Sequence, residues 1–339
     1  MKPLSAAASL LPTCLVALAL VASMPAQAAV PPPARTALPS KDPLAQVDLA
    51  LQAGEADKAL TLLQSLPQPG SAQATNLECR VRYMLEQWDA AIAACEQAVR
   101  LEQQNSGYHL WLGRALGEKA DRANFMTAYS LAKRVRVEFE ESVKLNPRNP
   151  DALADLGDFY FEAPGVVGGG VDKAEAIASQ LDKIDSARAH ELRGRIAEGR
   201  KDLETAEREY KQAIAAGPHP AIQWVALAGF YRRHERFAEM ESAVHSAAVN
   251  AERDNRAAVA FYDGAGVLSK ANRDLELAAK MLEDYLASSG KTEEAPAFMA
   301  YSRLANLKDK LGDPAAAAQE RTQALALAHE YKPGSEARH

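Results

Sequence analysis

The sequence predicts an all-α solenoid of about eight helix-turn-helix repeats, and three observations support this fold class. Apolar residues recur at spacings of three, four and seven, which is the period of an amphipathic helix. Small residues recur at matching places in successive helical pairs. Alanine is abundant, whereas aromatic residues make up only 6% of the chain. Such a composition is typical of helices that approach one another closely.

The N-terminal residues have the three parts of a secretory signal. These parts are the single Lys2, an apolar run from Leu10 to Val21, and small residues suited to cleavage at Ala26-Gln27-Ala28. The run contains Pro12 and is shorter than the roughly 20 residues that a spanning helix needs. We therefore expect a signal peptide over residues 1–28 and a chain exported to the periplasm or secreted.

The rest of the chain divides into three segments by composition. Residues 29–42 are rich in proline and predict a linker, residues 43–331 predict the solenoid, and residues 332–339 predict a disordered tail. The formal net charge of -6, without a long run of one sign, disfavours nonspecific binding to nucleic acid. No segment after the signal is long and apolar enough to span a membrane.

The clearest repeat begins at Trp224 and shows two amphipathic helices. Their apolar stripes are Trp224, Leu227, Ala228 and Tyr231 on the first helix, and Phe237, Met240, Val244 and Ala247 on the second. Neither helix could bury its apolar face alone, so we expect the two to pair and to stack on neighbouring pairs.

The same register, carried along the chain, predicts one small residue of each second helix at the helix crossing. A side chain larger than a methyl group there would push the paired helices apart. The predicted crossing residues are Ala59, Ala91, Ala174, Ala206, Ala278 and Ala317, with the larger Val135 and Met240 in two repeats. These positions define eight hairpins.

Two insertions interrupt the register. In the third repeat the second helix arrives about ten residues late, so residues 117–134 should lengthen the hairpin. In the fourth repeat a glycine-rich loop, residues 165–170, precedes Asp172 at the start of a helix. Its amides could hold an anion. The loop lacks the lysine and hydroxyl residues of a phosphate loop, so a flexible connector over the next repeat is the favoured interpretation.

The order of residue types in the repeats resembles that of tetratricopeptide (TPR) repeats. Gly194, Ala206, Tyr210, Ala213 and Pro218 carry the resemblance in one repeat. This resemblance implies a right-handed superhelix that binds a protein or peptide along its concave face. The lysine and asparagine set with which chaperone-binding relatives hold a terminal carboxylate is not matched, so that ligand is not implied.

A narrower resemblance rests on Trp111-Leu112-Gly113, the insertion, residues 139–147 and the glycine-rich loop. These segments are similar to those of a group of exported bacterial TPR proteins of uncharacterised function. Residues 108–160 resemble, more weakly, the regulator-of-microtubule-dynamics proteins of animals. A microtubule role is not carried over to an exported chain.

The first helix of each repeat predicts the side chains of the concave groove. They are rich in arginine and aromatic residues, which suit pairing with carboxylates and packing against a partner. The alternative is a solvated face with ordinary salt bridges. The predicted groove residues are Arg80, Tyr83, Arg114, Asp158, Phe161, Arg188, Glu191, Arg195, Arg232, Arg233, Asp263 and Asn306.

Two cysteines remain after the predicted signal, one on each helix of the second hairpin. An oxidising compartment would permit a disulfide between Cys79 and Cys95. Counting along the hairpin places Ile92, not Cys95, opposite Cys79, and a bridge needs α-carbons within about 7 Å. The sequence therefore favours two buried free thiols slightly over the bridge.

The sequence offers no catalytic or metal-binding motif and implies no cofactor. The seven histidines lack metal-ligand spacing, and no serine lies in a Gly-x-Ser-x-Gly elbow. The predicted function is therefore a noncatalytic adaptor or scaffold that binds a protein or peptide, of undetermined oligomeric state. Two alternatives stay open, a factor that docks to a cell-envelope polymer and a hydrolase with an acidic pair in the groove.

Overall fold

A computed structural model describes residues 42–332 of the chain. The predicted signal peptide, residues 29–41 of the predicted linker and residues 333–339 of the predicted tail lie outside the described residues. Within residues 42–332 the chain forms sixteen α-helices, two 3-10 turns (Gly165–Val167 and Asn255–Ala257) and no β-strand.

The helices pair in chain order to form eight hairpins. They are α1 (Pro43–Gln52), α2 (Ala56–Gln64), α3 (Ala72–Met84), α4 (Trp88–Leu101), α5 (Ser106–Arg122), α6 (Phe125–Leu145), α7 (Pro150–Glu162), α8 (Val171–Leu181), α9 (Ser186–Gly199), α10 (Leu203–Ala216), α11 (Pro220–Arg233), α12 (Phe237–Ala251), α13 (Val259–Ala271), α14 (Leu275–Ala287), α15 (Ala297–Lys310) and α16 (Pro314–Leu327). None of these helices is both long and apolar enough to cross a bilayer.

The predicted crossing residues lie in the core, which confirms the register and the all-α solenoid. The six alanines at these positions and Met240 have no solvent exposure, and Val135 is 4% exposed. The larger Met240 and Val135 are therefore accommodated at the crossings of their hairpins. Most stability of such a stack comes from packing between neighbouring hairpins, since a single hairpin is marginal.

The first helices of the hairpins form the inner wall of the solenoid. Contacts join α1 to α3, α3 to α5, α7 to α9, α9 to α11, and α11 to α13. First helices that touch across repeats must lie on the side where the stack is most crowded, which is its concave side. The predicted groove positions therefore belong to the helices that form this wall.

The third hairpin is longer than its neighbours, as the insertion predicts. Helix α5 has 17 residues and α6 has 21. Asn124 begins α6, because its side chain accepts a hydrogen bond from the amide of Thr127. At the tip, Phe125 is 81% and Met126 73% exposed. The insertion thus extends both helices and does not form a separate loop.

The glycine-rich loop packs against the preceding hairpin, not over the following repeat. Val167 is buried, and Gly168, with φ of +101°, lies against the side chain of Arg136 on α6. The amides of Gly168, Gly169 and Gly170 donate to carbonyls within residues 160–165. Because these amides already have acceptors, the loop offers no cradle for an anion, and the expected flexible connector is instead a folded turn.

The last hairpin contacts the first, so the solenoid closes on itself. Phe298 of α15 is fully buried in the same apolar cluster as Val47 and Leu51 of α1. The amide of His329 donates to both carboxylate oxygens of Asp57 at 3.0 and 3.2 Å. Gly54, with φ of +72°, lets the turn after α1 approach the backbone of Pro296.

A buried ion pair also joins these ends. Arg80 of α3 donates from Nε and Nη2 to the two carboxylate oxygens of Glu293 at 2.8 and 2.6 Å. Glu293 lies in the connection between α14 and α15, 213 residues away in sequence. Asp48 accepts a further bond from Arg80 at 3.0 Å. One guanidinium therefore connects the first two hairpins with the connection before the last.

Cys79 and Cys95 form a disulfide, so the expectation of two free thiols is wrong. Their α-carbons are 5.1 Å apart, and both side chains are fully buried. Cys79 lies five residues before the end of α3 at Met84, and Cys95 seven residues after the start of α4 at Trp88. This difference offsets the residues by about 3 Å along the axes.

The direction of the side chains removes that offset. Every Cα–Cβ bond in a helix tilts towards the N-terminus of its helix. Because α3 runs towards the turn and α4 runs away from it, the Cys79 side chain leans away from the turn and the Cys95 side chain leans towards it. A register counted on α-carbons alone therefore misplaced the facing pair.

Candidate functional site

The inner wall contains a cavity of about 580 Å³ beside the elongated third hairpin. It lies between α3, α5, α6 and α7, and one residue from the connection between α14 and α15 reaches it. Its lining includes Tyr83, Trp111, Gly113, Arg114, Gly117, Glu118, Ala120, Asp121, Ala128, Ala132, Val135, Phe139, Asp155, Asp158, Phe159, Glu162, Ala163, Pro164 and Glu294. A cavity of this size is in the range of ligand sites in proteins.

Helical periodicity explains how α5 and α7 supply most of the polar lining. On α5, Trp111, Arg114, Glu118 and Asp121 follow one another at steps of three or four residues, so they share one face. On α7, Asp155, Asp158 and Glu162 have the same spacing. All seven side chains line the cavity. Two neighbouring helices therefore present one polar face each to the same space.

Arg114 links the two helices across the floor of the cavity. Its Nε donates to Oδ2 of Asp155 at 2.6 Å, and its guanidinium stacks on the ring of Trp111, 4.8 Å from the centroid. Arg80 lies over the same ring at 5.5 Å. The Tyr83 ring meets Trp111 edge-on at 5.4 Å. Three predicted groove residues are thus held around one tryptophan.

The carboxylates of the cavity differ in their partners. Asp158 forms an ion pair with Arg195, yet burial raises the pKa of Asp158 above its usual range. Glu118 accepts from Arg122 at 2.6 Å and from the Tyr83 hydroxyl at 3.3 Å. Asp121 forms no hydrogen bond or ion pair with another described residue, and desolvation and the charge of Glu118 raise its pKa.

A smaller pocket of about 140 Å³ adjoins the cavity through Asp158. It contains the predicted residues Arg188, Glu191 and Arg195 of α9. Arg188 pairs with Asp151 at 2.5 Å. The Glu191 carboxylate makes no hydrogen bond within residues 42–332, and burial raises its pKa. The fourth and fifth hairpins therefore continue the polar wall of the third.

Three predicted groove residues lie away from the cavity. Phe161 packs against Gly199 at the end of α9, and Arg195 lies over its ring at 5.6 Å. Arg233 pairs with both oxygens of Glu198 at 2.7 and 2.8 Å. The guanidinium of Arg232 forms no hydrogen bond or ion pair with any residue of the described part. Of the three, only Arg232 is an unpaired cation.

Asp263 and Asn306 lie in the later hairpins. The Asp263 side chain contacts solvent, but the surrounding protein desolvates it enough to raise its pKa to about 6, against the lowering effect of Arg303 and Lys270. Asn306 lines two smaller pockets together with Arg303, of about 340 and 530 Å³. The structure thus places these two residues outside the main cavity.

Several lining residues were not predicted from the sequence. Trp111 and Glu118 could have been found, because they share the helical face of Arg114 on α5. The same spacing on α7 points from Asp158 to Asp155 and Glu162. No sequence signal marks Glu294, since only closure of the solenoid brings its connection to the third hairpin.

Within the described residues, no group of three or more histidine, cysteine, aspartate or glutamate side chains could hold a metal ion. The histidines that pair with acidic groups do so one at a time, as His109 does with Glu138 at 2.7 Å. The side chains that line the cavity can form ion pairs, hydrogen bonds and aromatic contacts.

No family model matches the chain, and no curated protein matches it. Among solved structures it is similar to the crystal structure of TTC0263, a thermophilic TPR protein of Thermus thermophilus. The two are 19% identical, the match covers 56% of this chain and 96% of that chain, and the TM-score is 0.47. The resemblances to exported bacterial TPR proteins and to regulators of microtubule dynamics stay predictions.

Proposed function

We propose that the chain is a noncatalytic adaptor or scaffold that holds a segment of a partner protein in the cavity beside the third hairpin. The observation that carries this proposal is the cavity itself, about 580 Å³ on the inner wall and bounded by four helices. A solenoid presents its concave side as an extended binding surface. Following the signal-like N-terminus, we also propose that the protein acts after export, in the periplasm or outside the cell.

The cavity has the mixed character that protein recognition needs. Trp111, Tyr83 and Phe159 provide aromatic surface, which contributes much of the binding energy at protein interfaces. The ion pairs around Trp111 fix its position before a partner arrives. A rigid aromatic centre of this kind lowers the entropy lost on binding.

Gly117 allows the cavity to be blocked without disturbing the core. A Cβ added to Gly117 would meet no other atom within 4 Å, although the residue lines the cavity. Gly117→Phe should therefore fill the cavity and leave the helices intact. Gly70→Phe is the matched control, because Gly70 is exposed, has equally open surroundings and lies outside the cavity.

The experiment compares proteins crosslinked to the two variants and the unmodified chain in the periplasm, identified by mass spectrometry. We expect the same one or two enriched partners with the unmodified chain and with Gly70→Phe, and their loss with Gly117→Phe. Equal recovery by all three proteins would contradict a role for the cavity. Recovery of cell-wall fragments would instead support docking to an envelope polymer.

Export has its own measurement. The N-terminal residue of the purified periplasmic or secreted protein should lie near Ala29 if residues 1–28 are removed as a signal. An intact N-terminus on protein recovered only from the cytoplasm would exclude this part of the proposal, and it would leave the cavity test unaffected.

A further inference from the structure

Arg114 in the cavity and Arg195 beside it already have carboxylate partners within the chain. Arg114 binds Asp155 at 2.6 Å, and Arg195 pairs with both Asp158 and Glu162. A partner's carboxylate would have to displace one of these internal partners, leaving it without its cation. Ion pairs between groups held in place at short distance resist such displacement. The cavity is therefore poorly suited to an acidic partner, despite the arginines in and beside it.

The cavity lining carries more negative than positive groups. Its charged side chains are the carboxylates Glu118, Asp121, Asp155, Asp158, Glu162 and Glu294 and the single guanidinium Arg114. Of the six carboxylates, Asp121 and Glu294 form no hydrogen bond or ion pair with another described residue. Asp121 lies near the end of α5, and Glu294 lies in the connection before α15. A ligand in the cavity therefore meets two carboxylates that have no hydrogen-bonded or ion-paired partner among the described residues, although Arg122 and Arg114 act on them at longer range.

The wall supplied by α6 is apolar. It presents Ala128, Ala132, Val135 and Phe139, which lie on one face of that helix. A lysine or arginine side chain can lay its methylene groups along such a wall while its charged end stays near carboxylates and water. The cavity thus has the two surfaces that a long cationic side chain needs.

We infer that the partner segment held in this cavity is basic, with lysine or arginine side chains directed towards Asp121 and Glu294. This inference rests on the proposed function and specifies the class of its ligand. The volume of about 580 Å³ is large enough for several side chains and favours a peptide segment over a single small amine.

Two labelled peptides test the inference against the full exported chain. One alternates lysine with leucine, and the other has glutamate in place of each lysine; binding is followed by the fluorescence anisotropy of the label. We expect the lysine peptide to bind more tightly than the glutamate peptide, with an affinity that falls as salt is added. Equal binding of the two peptides would overturn the inference.

Charge-neutralising variants locate the effect. Asp121→Asn combined with Glu294→Gln should weaken binding of the lysine peptide about fivefold, as expected for two partly exposed ion pairs. The control combines Glu204→Gln with Glu276→Gln, which removes the same charge from exposed positions on α10 and α14. The control should change the dissociation constant by less than about twofold; an equal loss in both double variants would refute the assigned site.

Two further outcomes separate this inference from the proposed function. If neither peptide binds but Gly117→Phe still abolishes recovery of the cellular partner, the groove function stands and the basic ligand is refuted. If spermidine displaces the lysine peptide at equal concentrations, the site binds small amines as well as it binds the peptide, and the inference of a peptide segment is refuted.

Discussion

Alanine substitutions at Gly113 and Gly117 should differ in their effect on stability. The two glycines lie one turn apart on α5, so replacing either removes the same helix-weakening residue. Alanine stabilises a helix interior by about 1 kcal/mol relative to glycine. At Gly117 the added methyl group has open space around it. We therefore expect Gly117→Ala to raise the free energy of unfolding by about 0.5–1 kcal/mol.

At Gly113 the cost of overpacking opposes the stabilisation of the helix by alanine. A Cβ there would lie 2.5 Å from Cδ1 of Phe139, whereas carbon atoms in contact prefer about 3.5–4.0 Å. Phe139 is itself buried, and overpacking of this kind costs about 1–3 kcal/mol. The helix contribution cancels between the two variants, so Gly117→Ala should be more stable than Gly113→Ala by about 1–3 kcal/mol.

Urea unfolding followed by circular dichroism measures this difference. The unmodified chain and both variants are compared at one pH, with the slope of each transition checked for a change in cooperativity. A difference below about 0.5 kcal/mol would show that Phe139 does not pack on Gly113. The packing of α5 on α6, and with it the position of the cavity wall, would then differ from that described above.

Three further predictions concern the bridge, a groove carboxylate and the closure of the solenoid. Reduction of the Cys79–Cys95 bridge, which spans 16 residues, should lower the free energy of unfolding by about 3 kcal/mol. The stability of a Cys79→Ser/Cys95→Ser variant should not change when reductant is added. Two free thiols at these positions in the unreduced protein would contradict the bridge. Because the folded state raises the pKa of Asp263 to about 6, its ionisation destabilises the fold as pH rises from about 4 to about 6. Asp263→Asn should therefore melt at a higher temperature than the unmodified chain at neutral pH, and at the same temperature when the pH is below about 4. The gain in free energy of unfolding should stay under about 1 kcal/mol, because the carboxylate contacts solvent. An Asp263→Asn variant that is less stable than the unmodified chain at neutral pH would contradict this prediction. Phe298→Ala should lower the free energy of unfolding by about 3–5 kcal/mol and increase the radius of gyration measured by X-ray scattering, because Phe298 packs on the first hairpin. The control Leu304→Ala, in a different apolar cluster, should destabilise the protein without that expansion. An unchanged radius of gyration in both variants would exclude closure through Phe298.

Much of the fold follows from local patterns in the sequence. The spacing of apolar residues sets each helix, and the alanines at the crossings, such as Ala91 and Ala206, set how each pair packs. Both features repeat within a few tens of residues, so one register counted along the chain identifies all eight hairpins. The insertion in the third repeat is visible in the same way, because it delays Phe139 relative to the register.

The composition of the site could be predicted only in part. Three of the residues that the periodicity of the first helices assigned to the groove, Tyr83, Arg114 and Asp158, line one cavity. It could not show that Arg114 and Arg195 already hold carboxylates of other helices, because each pairing joins residues more than 30 positions apart. The sequence thus indicated an arginine-rich surface, whereas in the structure two carboxylates of the cavity, Asp121 and Glu294, form no hydrogen bond or ion pair with another described residue.

The sequence by itself determined the helices and their pairing, and it predicted which face of each first helix lines the groove. Only the tertiary structure decided the contact between the ends, in which Arg80 meets Glu293, and the approach of Glu294 to the third hairpin. The physical reason is that helical periodicity acts over a few residues, whereas closure depends on the small angles between all successive hairpins added together. The Cys79–Cys95 bridge shows the same limit at short range, since it depends on the tilt of two side chains and not on their spacing.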